Sequence, residues 1–304
     1  MKILKFYIIP AIIIFFLYAG CSSKSHGPAE KAFAITDDTG AVITFSGVPR
    51  KVISLAPSLT EMIFSLGAGD KLAGNTIYCT YPPEAKLKEK VGDLITVDYE
   101  KILSLKPDLI LISVEGNVKD TYNRLKELGF KVMVSNPRNF EGIKKTYSQL
   151  GTVLDKKRSA DSTIYSWDKR YALIRQKLQD QKRPSGMFIV GLNPLMLAGK
   201  NTFINEILTS AGINNIANDQ PVNYPLFSRE EILLRNPDYI ITTGHASGDA
   251  RQIRANYREW STVSAVKNNN IILVDEDRFL RPGPRFIDAL EELYGKLYAD
   301  NTAR

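Results

Sequence analysis

The segment EKILSLKPDLIL at positions 100–111 is matched by EEILLRNPDYII at positions 230–241. In each copy, apolar residues at helical spacing lead to a Pro-Asp pair and then to a short apolar run typical of a buried strand. A second pair of segments, TEMIFSLG at 60–67 and NEILTSAG at 205–212, precedes the first in both halves. Either match alone could arise by chance, because helix, Pro-Asp and strand form a common connection. Together they predict two α/β lobes built on one pattern.

The sequence around these repeats adds local predictions. Residues 33–45 flank an Asp-Asp-Thr-Gly turn and predict a β-hairpin. Residues 51–55 predict a buried strand, followed by a helix that ends at Gly67. We expect Ser58 or Thr60 to cap this helix, because a hydroxyl accepts hydrogen bonds from the unpaired N–H groups at a helix start.

Two amphipathic helices are predicted between the lobes. Apolar side chains recur every three or four residues in 143–154 and again in 164–178, with charged residues between them. A connection with this much helix is stiff, so we expect a modest twist between the lobes instead of a large hinge closure. The predicted organisation is an N-terminal lobe over 32–138, a linking helical segment over 139–184 and a C-terminal lobe over 185–304.

The composition is that of a folded protein of about two domains. The chain has 304 residues, of which 44% are hydrophobic and 24% charged, and this excludes disorder, collagen and coiled coil. The net charge of +7 falls to +5 if Lys2 and Lys5 are removed with the N-terminus, which is too little to indicate a nucleic-acid partner. Only two cysteines, Cys21 and Cys79, are present, so a disulfide scaffold is excluded.

The N-terminus predicts export. Residues 1–20 combine early lysines, an apolar run over 6–17 and small residues before Cys21, which is the pattern of a signal peptide with a lipobox-like end. A retained membrane anchor is the alternative, but this run is shorter than the roughly 20 apolar residues that span a bilayer. Tyr18 stands where a bacterial lipobox usually has leucine. We therefore predict lipidation at Cys21, a polar tether over 21–31, and a periplasmic or cell-surface protein attached to a membrane by its lipid.

Several motifs resemble those of a known family, the substrate-binding proteins of bacterial ABC importers for metal chelates such as cobalamin, ferric siderophores and haem. The resemblance covers about Lys51 to Tyr298. Its most specific parts are VISLAPSLTE at 52–61, YCTYPP at 78–83, residues 100–108 and SRE at 228–230. Together they are most similar to the cobalamin-binding branch.

This resemblance implies a fold and a set of partners. The fold is α/β, similar to class III periplasmic binding proteins: two α/β lobes joined by a long α-helix, with a ligand cleft between them. The implied function is capture of cobalamin or a related corrinoid without catalysis and without a cofactor. The implied partners are an ABC permease dimer with its ATPase and the small-molecule chelate, and the binding protein itself is expected to be a monomer.

Two acidic residues are implied to dock on the permease. By motif, the family's docking positions correspond to Glu100 and Glu230, which are also equivalent positions of the internal repeat. A two-fold permease presents two matched basic sites, and two carboxylates at equivalent places engage both at once. The alternative is that each acid only stabilises its own helix start through the helix dipole.

The resemblance also carries over cleft positions. The predicted ligand-binding residues are Tyr78, Ser58, Leu94, Asn193, Met196, Tyr224, Asp277, Arg278 and Arg281. Tyr78 matches an aromatic residue that touches the corrin ring, Tyr224 matches a tryptophan, and Asp277 matches a polar contact. The aromatic cage is thinner than in cobalamin-binding relatives, which have Trp or Phe at the positions of Leu94, Ser113, Val190 and Met196.

A ferric siderophore or haem is the alternative cargo. Arg278, Arg281 and Arg285 lie in a predicted loop over 277–285, and their guanidinium groups are suited to bind carboxylates or phenolates of such a chelate. The structural alternative is that these arginines are solvated at the surface or paired with Glu276 and Asp288.

An enzyme is the alternative from a different functional class. The segment 191–200 fails as a P-loop, because Pro194 replaces its first glycine and Asn201 follows its lysine. No Ser-His-Asp arrangement with a nucleophile elbow is apparent. Cys79 is expected to be a small buried apolar residue. His245 has no cysteine or histidine at ligand spacing, so a protein metal site is not expected.

Overall fold

The computed structural model describes residues 32–244 and 250–298. The predicted signal peptide, the lipidation site Cys21, the tether and His245 lie outside the described residues. The strands are β1 Phe33–Thr36, β2 Val42–Phe45, β3 Val52–Ser54, β4 Leu72–Asn75, β5 Glu89–Lys90, β6 Leu109–Ser113, β7 Val132–Ser135, β8 Ser185–Leu192, β9 Leu195–Leu197, β10 Asn214–Asn215, β11 Tyr239–Thr243 and β12 Ile271–Val274. The helices are α1 Pro57–Ser65, α2 Tyr99–Leu105, α3 Lys119–Glu127, α4 Phe140–Val153, α5 Lys157–Lys177, α6 Phe203–Ser210, α7 Arg229–Arg235, α8 Ala250–Asn256, α9 Ser264–Lys267, α10 Glu276–Leu280 and α11 Phe286–Tyr298.

Each lobe is built on its own sheet. The N-terminal sheet has the order β5-β4-β3-β6-β7, with parallel pairing throughout. The C-terminal sheet has the order β10-β8-β11-β12, also parallel, and β9 is added antiparallel to β8. The predicted hairpin is present as β1 and β2. The prediction of two α/β lobes is confirmed, whereas the exact lobe bounds stay a prediction.

The Pro-Asp repeat has the same structural role in both lobes. α2 and α7 each end in a left-handed residue, Lys106 with φ of 51° and Asn236 with φ of 42°, after which proline prevents the helix from continuing. The aspartate that follows, Asp108 or Asp238, accepts hydrogen bonds from backbone N–H groups where the neighbouring strand begins.

These aspartates therefore fix the register of the central strands. Asp108 Oδ2 accepts from the N–H groups of Arg50 and Lys51 at 2.8 Å, directly before β3. Asp238 Oδ2 accepts from the N–H and the hydroxyl of Ser185 at 2.9 Å, at the start of β8. The Pro-Asp motif thus joins the starts of two neighbouring parallel strands in each lobe, β3 and β6 in one and β8 and β11 in the other.

The second repeat attaches both lobes to the linking helices. Ser65 at the end of α1 and Ser210 at the end of α6 are equivalent positions. The Ser65 hydroxyl lies 2.8 Å from the hydroxyl of Tyr147 on α4, and the Ser210 hydroxyl lies 3.1 Å from that of Tyr171 on α5. Each lobe is therefore hydrogen-bonded to the linking segment through the equivalent helix, α1 in the N-terminal lobe and α6 in the C-terminal lobe.

The linking helices also share their apolar core with the lobes. The ring of Phe140 stacks on Phe286 of α11 with 4.9 Å between centroids, and its other neighbour is Tyr171 at 4.9 Å. Trp167 is buried against Tyr147 at 4.7 Å. Because burying an aromatic side chain removes a large apolar area from water, this packing stabilises the contact between the linking helices and the lobes, and the stiffness of the connection stays a prediction.

Two local predictions are wrong. The N-cap of α1 is Ala56 without a side-chain hydrogen bond, and Ser58 and Thr60 lie inside the helix; Pro57 supplies its first turn, where no N–H partner is needed. The predicted loop over 277–285 is helical in its first part, α10, because Asp275 caps it by accepting from the N–H of Arg278 at 2.8 Å. Within the described ranges, no helix combines the length and apolarity needed to cross a membrane.

Candidate functional site

The cleft lies where parallel strands of both lobes reach their carboxyl ends. The chain that follows β3 and β6 supplies one wall, over 56–58 and 113–116, and α10 with the residues after it supplies the facing wall, over 276–282. Between them is a cavity of about 250 Å³. Ligands of parallel α/β sheets bind beyond the carboxyl ends of strands. A chelate larger than this cavity would extend into the open mouth of the cleft.

A second cavity, of about 840 Å³, lies between the end of α5 and α6. Its lining is mainly long polar side chains, including Arg175, Gln176 and Gln179. It lies on the linking helix and receives no strand ends, so the smaller cavity between the lobes is the candidate ligand site.

Asn117 holds the N-terminal wall of the cleft together. Its Oδ1 accepts from the N–H of Ser113 at 3.0 Å, and its Nδ2 donates to the carbonyls of Leu55 and Leu94, both at 3.1 Å. One side chain therefore joins the segments that follow β3 and β6 to the residue Leu94 that also lines the cavity.

The side chain of Glu61 on α1 is bound by two arginines of the other lobe at the base of the cleft. Arg285 donates to both of its carboxylate oxygens, from Nε at 2.8 Å and from Nη2 at 2.7 Å, and Arg281 donates from Nη1 at 3.2 Å. The Glu61 side chain is only 1% exposed. We call Glu61, Arg281 and Arg285 the inter-lobe clamp.

In the inter-lobe clamp, burial disfavours the charged form of Glu61 and the two arginines favour it. Burial raises the pKa of Glu61, and the hydrogen bonds and charges of Arg285 and Arg281 oppose this shift. A carboxylate that accepts from two guanidinium groups through both oxygens makes charge-assisted hydrogen bonds, and these bonds join α1 to Arg281 and Arg285. The guanidinium of Arg285 also lies over the ring of Tyr81, 4.2 Å from its centroid.

Arg281 connects the clamp to the ligand cavity. Its Nη2 lies 2.5 Å from Oδ1 of Asp277 and donates to the carbonyl of Tyr78 at 3.3 Å. Asp277 also lies 3.5 Å from the hydroxyl of Thr80 across the cleft. The mouth of the cavity is therefore held by polar contacts between the lobes.

The opposite side of the cleft contains an ion pair that the sequence did not indicate. Arg138 donates to Oε1 of Glu115. Burial raises the pKa of Glu115, and Arg138 acts in the opposite direction. Burial also raises the pKa of Tyr224, and Glu115 adds to this shift, which indicates that Tyr224 of the C-terminal lobe is near this pair.

The structure brings five of the nine predicted ligand residues to one cavity. Its lining includes Ser58, Tyr78, Leu94, Asp277 and Arg281. These residues face one another from both lobes, as a ligand cleft requires.

The other four predicted residues lie outside that lining. Asn193 lies in the turn after β8, and Met196 lies in β9. Tyr224 lies two residues before Leu226, which forms an isolated antiparallel β-bridge with Met196. Arg278 lies 3.0 Å from Glu292 and 3.6 Å from Asp275. The roles of all nine as ligand contacts stay predictions.

The arginine cluster is paired, but not as expected. Pairing with Asp288 was one alternative, but Asp288 lies 2.6 Å from Arg170, and Arg285 donates to Glu61.

The two predicted docking acids occupy matching places. Glu100 and Glu230 are both exposed in the first turn of α2 and α7, after the caps Asp98 and Ser228. Their neighbours are engaged, Lys101 with Glu89 and Glu231 with Arg235. Over the described residues, the carboxylates of Glu100 and Glu230 make no hydrogen bond or ion pair within the chain.

Cys79 is buried as expected, and its sulfur accepts from the hydroxyl of Thr60 at 3.2 Å. In the part of the chain that the structure describes, no group of three or more His, Cys, Asp and Glu side chains is arranged to hold a metal ion.

Sequence reasoning missed Glu61, Asn117 and Glu115. Glu61 stands in the motif segment 52–61, but its partners are more than 200 positions away, so no local pattern reveals them. Glu115 and Asn117 follow the repeated strand β6, and polar residues directly after a buried strand are the signal that identifies them.

Comparison with known proteins fits this geometry. A model of the periplasmic binding protein family matches residues 52–278. The chain belongs to this family. It is 34% identical over 299 residues to an uncharacterized ABC transporter substrate-binding lipoprotein, YvrC, of Bacillus subtilis, covering 93% of this chain and 94% of that protein. It is 32% identical over 249 residues to a vitamin B12-binding protein of Photorhabdus laumondii, covering 82% and 88%.

Superposition on a solved structure also places the fold of this chain in this family. The periplasmic vitamin B12 binding protein BtuF of Vibrio cholerae superposes with a TM-score of 0.73 at 29% identity, covering 83% of this chain and 98% of that chain. The resemblance stated from the motifs and the two-lobed fold are therefore confirmed. Because the family consists of solute-binding proteins, the expectation of a non-catalytic protein outside the cytoplasm is confirmed as well.

Proposed function

We propose that this periplasmic binding protein captures cobalamin or a related corrinoid in the inter-lobe cleft and delivers it to an ABC permease with its ATPase. The names of the Photorhabdus laumondii relative and of the Vibrio cholerae structure support this ligand class. Two of the motifs that resemble the cobalamin-binding branch, at 52–61 and 78–83, contribute Ser58 and Tyr78 to the lining of the cleft cavity.

The observation that carries the choice of ligand is the pairing of the arginines. The siderophore and haem alternatives depend on free guanidinium groups, but Arg281 and Arg285 bind Glu61 and Arg278 binds Glu292. An anionic chelate would have to break these pairs, and breaking a partly buried ion pair is costly. An uncharged, amide-bearing chelate has no such cost.

A direct titration tests the proposal. The purified mature protein is titrated by calorimetry with cyanocobalamin, cobinamide, haem and several ferric siderophores. We expect saturable binding of the two corrinoids at one per chain, recovery of the corrinoid unchanged, and about 2.7 kcal/mol of stabilisation at a free ligand concentration 100 times Kd. Tight binding of haem or a ferric siderophore, with no binding of corrinoids, would overturn it.

Delivery is proposed to use Glu100 and Glu230. Both carboxylates are exposed, repeat-related and without a partner in the described part of the chain, so they are available for basic sites of a two-fold permease. The lipid anchor at Cys21 is proposed from the sequence alone. Mass spectrometry of the protein from membranes tests it: a diacylglyceryl group on an N-terminal Cys21 supports it, and an unmodified or uncleaved N-terminus contradicts it.

A further inference from the structure

The lining of the cleft cavity is richer in acidic than in basic side chains. It contains Glu115, Glu276 and Asp277, against a single guanidinium group, that of Arg281. The Arg281 guanidinium is held by Glu61, by Asp277 and by the carbonyl of Tyr78. Among the charged groups of this lining, carboxylates therefore outnumber guanidinium groups three to one.

Glu115 is placed to act on a ligand. The residue is exposed through its backbone, but its side chain is only 25% exposed because it turns into the cleft. The hydrogen bond that it accepts involves Oε1, from Arg138. Its other oxygen, Oε2, has no hydrogen bond within the described residues, so it is available to a donor on the ligand.

Arg138 is the partner of Glu115 in this ion pair. Its side chain is 33% exposed and is paired with Glu115, which lines the cavity, whereas Arg138 itself is not part of the lining. Without Glu115, its guanidinium group would be a ready partner for a carboxylate of a ligand, because arginine binds carboxylates through two parallel hydrogen bonds.

We propose that Glu115 determines the specificity of the cleft: Oε2 accepts a hydrogen bond from an uncharged N–H donor at the edge of the chelate, while Oε1 keeps Arg138 from binding anionic chelates. This inference rests on the proposed function, which it deepens by naming a residue that separates two classes of cargo. Corrinoids carry primary amides around the ring, and these donate N–H groups to a carboxylate. Haem carries propionates, which Glu115 and Asp277 repel. Selectivity thus arises from an attractive contact with one class and a repulsive one with the other.

Binding by four proteins tests the proposal: the wild type, E115Q, the double variant E115Q/R138Q and E127Q. The control E127Q alters an exposed Glu–Arg pair on α3, whose side chains are 66% and 57% exposed. Cyanocobalamin and haem are titrated into each protein. For E115Q we expect cyanocobalamin affinity to fall on the order of tenfold and haem affinity to rise on the order of tenfold, as for loss or gain of one charge-assisted hydrogen bond. The gain for haem should disappear in the double variant, and E127Q should match the wild type.

The outcomes separate specificity from stability. A purely structural role would lower both affinities by the same factor, and this result, like unchanged affinities for both ligands, would overturn the proposal. A haem gain that persists in the double variant would overturn the role of Arg138. If the wild-type protein does not bind cyanocobalamin, the proposed function fails, but the haem affinities of the wild type and E115Q still decide whether Glu115 excludes anionic chelates.

Discussion

Replacing Glu61 by glutamine removes the charge that holds Arg281 and Arg285 across the lobes. The wild-type carboxylate is 1% exposed and accepts three hydrogen bonds. Arg281 keeps Asp277 at 2.5 Å, so the guanidinium left without a carboxylate partner is that of Arg285, which is 15% exposed. Loss of one partner of a buried ion pair costs about 3 to 5 kcal/mol, and the residual exposure of Arg285 favours the lower end, about 3 kcal/mol.

Calorimetry and denaturant titration measure this effect. A loss of about 3 kcal/mol corresponds to a fall in Tm on the order of 5 °C in a chain of this size. The control Glu127→Gln breaks an exposed pair and should change the free energy of unfolding by less than about 0.5 kcal/mol. The double change Glu61→Met with Arg285→Met removes both charges and should recover most of the loss. A Glu61→Gln variant within about 1 kcal/mol of wild type, or a double variant less stable than the single one, would refute the clamp.

Three further predictions concern other sites. Reversal of both docking charges, Glu100→Arg with Glu230→Arg, should abolish cellular uptake of cargo at unchanged ligand affinity; normal uptake would contradict docking through these acids. Asn117→Ala should lower the free energy of unfolding by about 1 to 3 kcal/mol, since it leaves partly buried groups unpaired, and should weaken ligand binding; unchanged denaturation and binding would contradict its role in the cleft wall. Burial raises the pKa of Glu206 in the folded protein, so the fold disfavours the ionised carboxylate. The stability that the protonated carboxyl contributes is present below the pKa of the unfolded chain and is lost as pH rises through the pKa of the folded protein. The stability of Glu206→Gln relative to wild type should therefore improve between pH 4 and pH 7, and a constant difference in denaturation experiments would contradict this sign.

The repeats predicted the lobes because their signals are local. Gly67 and Gly212 both adopt positive φ, of 72° and 90°, where glycine has little steric cost, and both end a helix of the repeat. The two Pro-Asp turns likewise combine a helix end and a strand start within a few residues. Such features are readable from sequence because the interacting residues are near one another in the chain.

The site was predicted less completely because its contacts are distant in sequence. The partner of Glu61 is Arg285, 224 positions away, and only the packing of the lobes brings them together. The same holds for Arg281, which sequence reasoning treated as a ligand contact and which the structure also places in the clamp. The cap of α1 was misassigned for a different reason, since Pro57 at the helix start removes the need for a hydroxyl cap.

Hydrogen exchange with and without cyanocobalamin tests most directly whether cargo is held between the lobes. Residues 113–116 of one lobe and 276–282 of the other form the two walls of the cleft cavity. We predict that saturating cyanocobalamin slows exchange in both segments together and leaves the cavity between α5 and α6 unchanged. Slower exchange confined to one lobe, or centred on residues 171–183, would contradict a cleft that holds its cargo from both sides.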